Sequence, residues 1–141
     1  EYWKTQINKL QQSGKSAVIA IIDINNFSLF NQKHGYTEGD RYLHDIAQLV
    51  IMNLRQQDLA CRYAGDRFAI LMPDVSPMQA DVILSDIKVS IQHLAFRHSR
   101  NANAIYTTAR STQVTLLPNQ RLATVLNTML LELERAHDSA A

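Results

Sequence analysis

Cysteine is nearly missing from this chain. Cys61 is the one thiol in 141 residues, which excludes an internal disulfide framework and suits a reducing compartment. Between Ala60 and Arg62 in an apolar run, it reads as a core residue rather than a nucleophile. Net charge is also close to absent: 14 basic against 13 acidic residues leave a formal +1. No broad field therefore points to nucleic acid or a membrane surface, although a small anionic ligand needs only local charge. No run approaches the roughly 18 apolar residues of a membrane span, and the opening EYWKTQINKLQQSGK lacks a signal-peptide pattern. Internal repeats, low-complexity tracts and linkers are missing as well. With 46% hydrophobic and 19% charged residues, the composition fits a globular core and not a disordered chain.

Hydrophobic spacing divides what is there. Trp3, Ile7 and Leu10 predict a helix over Tyr2 to Gln12 that Ser13-Gly14 ends. Ser16 to Ile24, SAVIAIIDI, reads as a buried strand whose single charge, Asp23, lies near its C-terminal end. Asn25-Asn26 offers an N-cap for a short helix through Phe27, Leu29 and Phe30, closed by His34-Gly35. Thr37 to Arg55 is the clearest helix, with Thr37 as its cap and Asp40 three residues on. Its apolar stripe is Leu43, Ile46, Ala47, Val50, Ile51 and Leu54.

Leu59 to Tyr63 and Phe68 to Met72 read as a hairpin bent at Ala64-Gly65, and Pro73 stops its second strand. Ser76-Pro77 opens a helix running to about Phe96 on Val82, Ile83, Ile87, Ile91 and Leu94. Arg97 to Asn103 reads as a loop, Ala104 to Leu117 as an interrupted β-prone stretch, and Pro118-Asn119 as the turn into a last helix from Leu122 to about Ala136. The order α-β-α-α-β-β-α-β-α mixes a hairpin with crossover helices. That implies an α+β fold in one domain, residues 1–141, with a mostly antiparallel sheet covered by helices.

An acid at the end of a buried strand is costly unless it is paired or binds a cation. If the strand ending at Ile24 lies beside the hairpin, Asp23 approaches Asp66 at the hairpin tip. Two carboxylates and a main-chain carbonyl such as that of Ile24 make a hard-oxygen site suited to Mg²⁺, and a glycine turn beside it suits phosphate. An ordinary tight turn would show Asp66 after Gly65 as well, and Asp23 could cap the helix that follows. Both readings stand at this point.

The residues from Asp23 to Leu43, D-I-N-N-F-S-L-F-N-Q-K-H-G-Y-T-E-G-D-R-Y-L, resemble the strand-helix signature of the GGDEF domain, the bacterial diguanylate cyclase module. Asp23, Phe27, Asn31, Gly35, Gly39, Asp40 and Leu43 stand at the signature's spacing. Cys61 to Phe68 is similar to that family's hairpin, with Ala64 and Arg67 out of pattern. The resemblance implies a central sheet of about five strands wrapped by helices, similar to the adenylyl cyclase palm. It also implies condensation of two GTP into cyclic di-GMP with Mg²⁺. Asp23, the Ile24 carbonyl and Asp66 would be metal ligands, with Asp66 also activating the hydroxyl. Asn31 and Asp40 would read guanine, and Ala64 and Gly65 would lie along the phosphates.

The departures fall on the phosphate side. Arg67 stands where the family has a metal-binding glutamate, and a fixed cation repels Mg²⁺ and turns its fork to phosphate or to Asp23 and Asp66. Ala64 replaces the first glycine, and His137 stands where a phosphate-contacting lysine would be. Magnesium binding is thus in doubt, and Asp66 becomes a vestigial catalytic residue. Arg55-Gln56-Gln57-Asp58 is an R-x-x-D at the position of the family's product-inhibition site, where it would take cyclic di-GMP.

The expected function is a regulatory or nucleotide-sensing module of cyclic di-GMP signalling with impaired catalysis. GTP at the old active site, a sensor or phosphodiesterase domain in the same chain and a second copy are its expected partners, and nucleic acid is not. A weakly active cyclase and a protein-interaction domain without nucleotide remain the alternatives. Since the chain opens without Met and ends in HDSAA, it is expected to be a cytoplasmic piece of a longer protein, membrane-anchored or not.

Overall fold

The first eight residues of Ala17–Asn25, strand β1, are all buried. An unbroken β-rich apolar run is stable only where both faces are covered. Alternation along β1 sends Val18, Ala20, Ile22 and Ile24 into one hydrophobic cluster and Ala17, Ile19 and Ile21 into a second, as the two-residue period of a strand requires. The structure, a computed structural model, describes residues 2–63, 65–98 and 108–140. The Ala64 bend, the residues expected as loop and strand over 99–107, and the His137 side chain lie outside the described residues.

The elements follow in the order α1 (Tyr2–Gln12), β1, α2 (Phe27–His34), α3 (Tyr36–Asn53), β2 (Leu59–Tyr63), β3 (Arg67–Pro73), α4 (Pro77–His98), β4 (Thr108–Leu116) and α5 (Leu122–Ala140). The sheet order is β2-β3-β1-β4, and every pairing among the described residues is antiparallel. Helices α2, α3 and α4 cover one face through Phe30, Leu43, Ile46, Ile87 and Ile91. Helices α1 and α5 cover the other through Ile7, Met129 and Leu133. The α+β class and the order of elements are as the spacing predicts.

Several expectations need correction. The described residues hold four strands, not about five; the sequence itself carries only four β-prone runs, and the fifth was implied by the family resemblance alone. Thr37 does not cap α3. The helix starts at Tyr36, and Gly35, with φ 86°, both ends α2 and begins α3, a backbone region that glycine enters without penalty. Asn26 stands at the α2 N-cap in the left-handed region and makes no side-chain capping bond. Helix α4 runs through His98, so Arg97 and His98 are helical rather than loop. Ile51 and Val82 are each 58% exposed, whereas Tyr42 is 1% exposed; the helical period was right and the neighbouring elements set its phase. Cys61 is exposed, because β2 is an edge strand.

Ile22, fully buried at the centre of the sheet, sets the first test. Ile22→Ala is expected to destabilise the fold by roughly 2–5 kcal/mol, and Val82→Ala by less than about 0.5 kcal/mol. Urea unfolding followed by circular dichroism measures both, and equal effects would contradict this assignment of core and surface.

Candidate functional site

Strands β3, β1 and β4 each carry a single charged residue: Arg67, Asp23 and Arg110. The antiparallel registers bring these three into one row, with Asp23 opposite Arg67 on one side and opposite Arg110 on the other. Directly paired residues project to the same face of a sheet. Arg110 Nη2 donates to Asp23 Oδ2 at 2.7 Å, and Arg67 Nε stands 3.8 Å from Asp23 Oδ1. Asp23 is only 7% exposed, and a buried carboxylate is stable there because cations flank it.

Beside the row lies a cleft of about 290 Å³ lined by Asp23, Ile24, Asn26, Ser28, Asp66 and Arg67 among others. Its floor is tied together by the Ile24 N–H, which donates to the Asp66 carbonyl at 3.0 Å. The hairpin turn reaches this position through Gly65, whose φ of 75° suits glycine. The structure therefore gathers four of the residues singled out in the sequence: Asp23, Ile24, Asp66 and Arg67.

Asn31 and Asp40 are not in that lining. Asn31, on α2, places its carboxamide over Gly39 of α3, and a Cβ at Gly39 would overlap the Asn31 oxygen. Asp40 is the next residue and is exposed. Asn31 Oδ1 is buried without a hydrogen-bond partner, an acceptor that lacks its donor.

Arg55 and Asp58 are brought together, and they are bound to each other. The Asp58 side chain is fully buried while that of Arg55 is 28% exposed. Arg55 Nη2 donates to Asp58 Oδ1 at 2.7 Å, and its main-chain N–H donates to Oδ2 at 2.8 Å. The same Nη2 donates to the Pro73 carbonyl at 2.8 Å. The planar fork suits this two-oxygen contact, and it clips the turn before β2 to the end of β3.

A divalent cation does not fit the row as built. Magnesium takes ionised oxygens at about 2.0–2.1 Å in octahedral geometry. Here one oxygen of Asp23 accepts a charge-assisted bond from a guanidinium that cannot deprotonate. No cluster of three acidic, histidine or cysteine side chains with metal-holding geometry occurs among the described residues. At Cys61, desolvation raises the thiol above its ordinary value, partly opposed by a backbone hydrogen bond at Ala69, which favours the protonated thiol.

Sequence reasoning found Asp23, Asp66 and Arg67 but missed Arg110. The available signal was that Arg110 is the one charge in its strand, as Asp23 is in its own.

A family model for the diguanylate cyclase GGDEF domain matches residues 1–139. The chain belongs to the GGDEF family. Among GGDEF relatives it is 33% identical to the probable diguanylate cyclase DgcJ of Escherichia coli K12 over 90 residues, 64% of this chain and 18% of that protein. It is 29% identical to the cyclic di-GMP phosphodiesterase PdeB of Shewanella oneidensis over 103 residues, 72% of this chain and 12% of that protein. The chain thus spans less than a fifth of either relative's length. Among solved structures, diguanylate cyclase SiaD of Pseudomonas aeruginosa, crystallised with its activator SiaC, superposes with a TM-score of 0.82 at 27% identity. That superposition covers 96% of this chain and 52% of the SiaD chain. No helix among the described residues is long and apolar enough to cross a membrane.

The Arg55 clip sets a second test. Arg55→Ala leaves a buried carboxylate without its fork and is expected to destabilise the domain by about 3 kcal/mol, the lower end for a broken buried pair because Arg55 is partly exposed. Urea unfolding measures this, and a change below about 0.5 kcal/mol would show the clip to be ornamental.

Proposed function

We propose that this chain is a regulatory GGDEF module of a cyclic di-GMP signalling protein in which cyclase turnover has lapsed. One observation carries the reading: Asp23, a metal ligand by the family's pattern, is flanked by two guanidinium groups. Phosphoryl transfer in this family's manner needs its charge neutralised by a metal at that place, and the row is closed to one. Asp66 is then a remnant of the catalytic centre. The names of the relatives support the signalling context, since DgcJ is called a probable cyclase and PdeB a phosphodiesterase of cyclic di-GMP.

The reading keeps a nucleotide as input. GTP would use the cleft at Gly65, Asp66 and Arg67 for its phosphates, with Ala64 by position, and Asn31 and Asp40 for its base. The buried, donor-less oxygen of Asn31 supports that assignment. Cyclic di-GMP would use Arg55 and Asp58, and its binding requires the pair to open, so its affinity is reduced by the cost of breaking the clip. The domain, residues 1–141, would sit in the cytoplasm within a longer chain, next to a sensor or phosphodiesterase domain, and pair with a second copy or with another protein. SiaD, held by an activator protein, is a precedent for the last of these.

Incubating the domain with GTP and Mg²⁺ or Mn²⁺ and separating the nucleotides is expected to yield no cyclic di-GMP. Product that disappears in Asp66→Ala would overturn the loss of turnover. Calorimetric titration with cyclic di-GMP is expected to give micromolar binding that weakens at least about tenfold in Arg55→Lys, which keeps the charge and loses the fork. An absence of heat removes cyclic di-GMP as the input and leaves GTP or a protein partner.

A further inference from the structure

The geometry points to Arg110, on β4, as the residue that chiefly bars a divalent cation from Asp23, with Arg67 second. This rests on the reading of a lapsed metal site and goes beyond it by ranking the two cations. The out-of-pattern residue in the hairpin motif is Arg67, yet its Nε lies 3.8 Å from Asp23, beyond hydrogen-bond length. Arg110 makes the direct bond, 2.7 Å to Oδ2, in the range of charge-assisted contacts.

Two further observations hold Arg110 in place. It stands directly opposite Asp23 in the β1–β4 register, so its reach requires no departure from the strand. Its Nε is buried without a hydrogen-bond partner, so the guanidinium has already lost part of its hydration, and Asp23 compensates that loss. A metal ion would have to break the 2.7 Å bond and leave this half-desolvated cation beside itself. Replacing Arg67 by glutamate restores the motif's letter but does neither. Arg110 stays on Oδ2 and gains a second carboxylate to pair with across the sheet. The site opens to a divalent cation only when Arg110 is removed as well.

The experiment follows Mn²⁺ by the loss of its free-ion electron paramagnetic resonance signal, using the full chain, Arg67→Glu, and the double variant Arg67→Glu with Arg110→Gln. The native chain and Arg67→Glu are expected to leave millimolar Mn²⁺ free, and the double variant to bind it and gain thermal stability with added metal. Binding by the native chain overturns the lapsed metal site itself. Binding by Arg67→Glu while the native chain is silent overturns only the ranking, as does a folded double variant that stays silent. Should the double variant fail to fold by circular dichroism, urea midpoints of the single variants decide. Arg110→Gln is expected to fall further than Arg67→Gln, and the reverse order overturns the primacy of Arg110.

Discussion

One carboxylate inside the sheet organises this domain. Asp23 lies near the end of a strand whose other buried residues are all apolar, where an unpaired charge would be prohibitively costly. Its two flanking arginines come from different strands, so the charge is satisfied only when β3 and β4 both pair with β1 in the observed registers. A slip of one residue would carry either arginine to the opposite face, against helices whose contacts are apolar. Such a row therefore selects one alignment against its neighbours, whether or not it adds net stability, which buried ion pairs often do not.

The same row separates descent from present chemistry. The chain keeps the frame of a GGDEF domain across nearly all of its length, including Gly65 of the turn and the aspartates at 23 and 66. What differs is the surroundings of Asp23, which two arginines flank. A metal-dependent site keeps carboxylates together at an electrostatic cost that the ion relieves; at Asp23 two guanidinium groups balance the charge. In this chain the charge that holds the strands in register is balanced by side chains of the fold itself.

Most of the architecture was legible because periodicity survives in a short chain. The run SAVIAIIDI and the hairpin around Gly65 announce themselves by composition, and helical spacing places the helices between them in the order that the described residues show. Phase was harder. Ile51 fits the stripe of α3 but faces outward, and Tyr42 fills the core beside Phe30 with its ring edge-on at 4.7 Å. Which flank of a helix is covered depends on neighbours that the local sequence does not name. Cys61 misled for a similar reason, since an apolar run on an edge strand looks like one at the centre. In the site, Asp23, Asp66 and Arg67 could be brought together by reasoning about one hairpin, whereas Arg110 lies 87 positions from its partner and joins it only through register. The R-x-x-D was legible as a motif, and its burial was not: the four letters are alike whether the pair awaits a ligand or fastens a turn.

Gly35 carries a consequence for how a bound base would be felt. It is the C-cap of α2 and the N-cap of α3, so a single residue separates the helix of Asn31 from that of Asp40. Asn31 also packs against Gly39 of α3, so the placement of Asn31 and of Asp40 is set together. Helix α3 runs from the turn that carries Asp40 to Asn53, two residues before the Arg55 clip. Asp40 and the Arg55 clip thus stand near opposite ends of one helix, and the family's two ligand positions share a single rigid element.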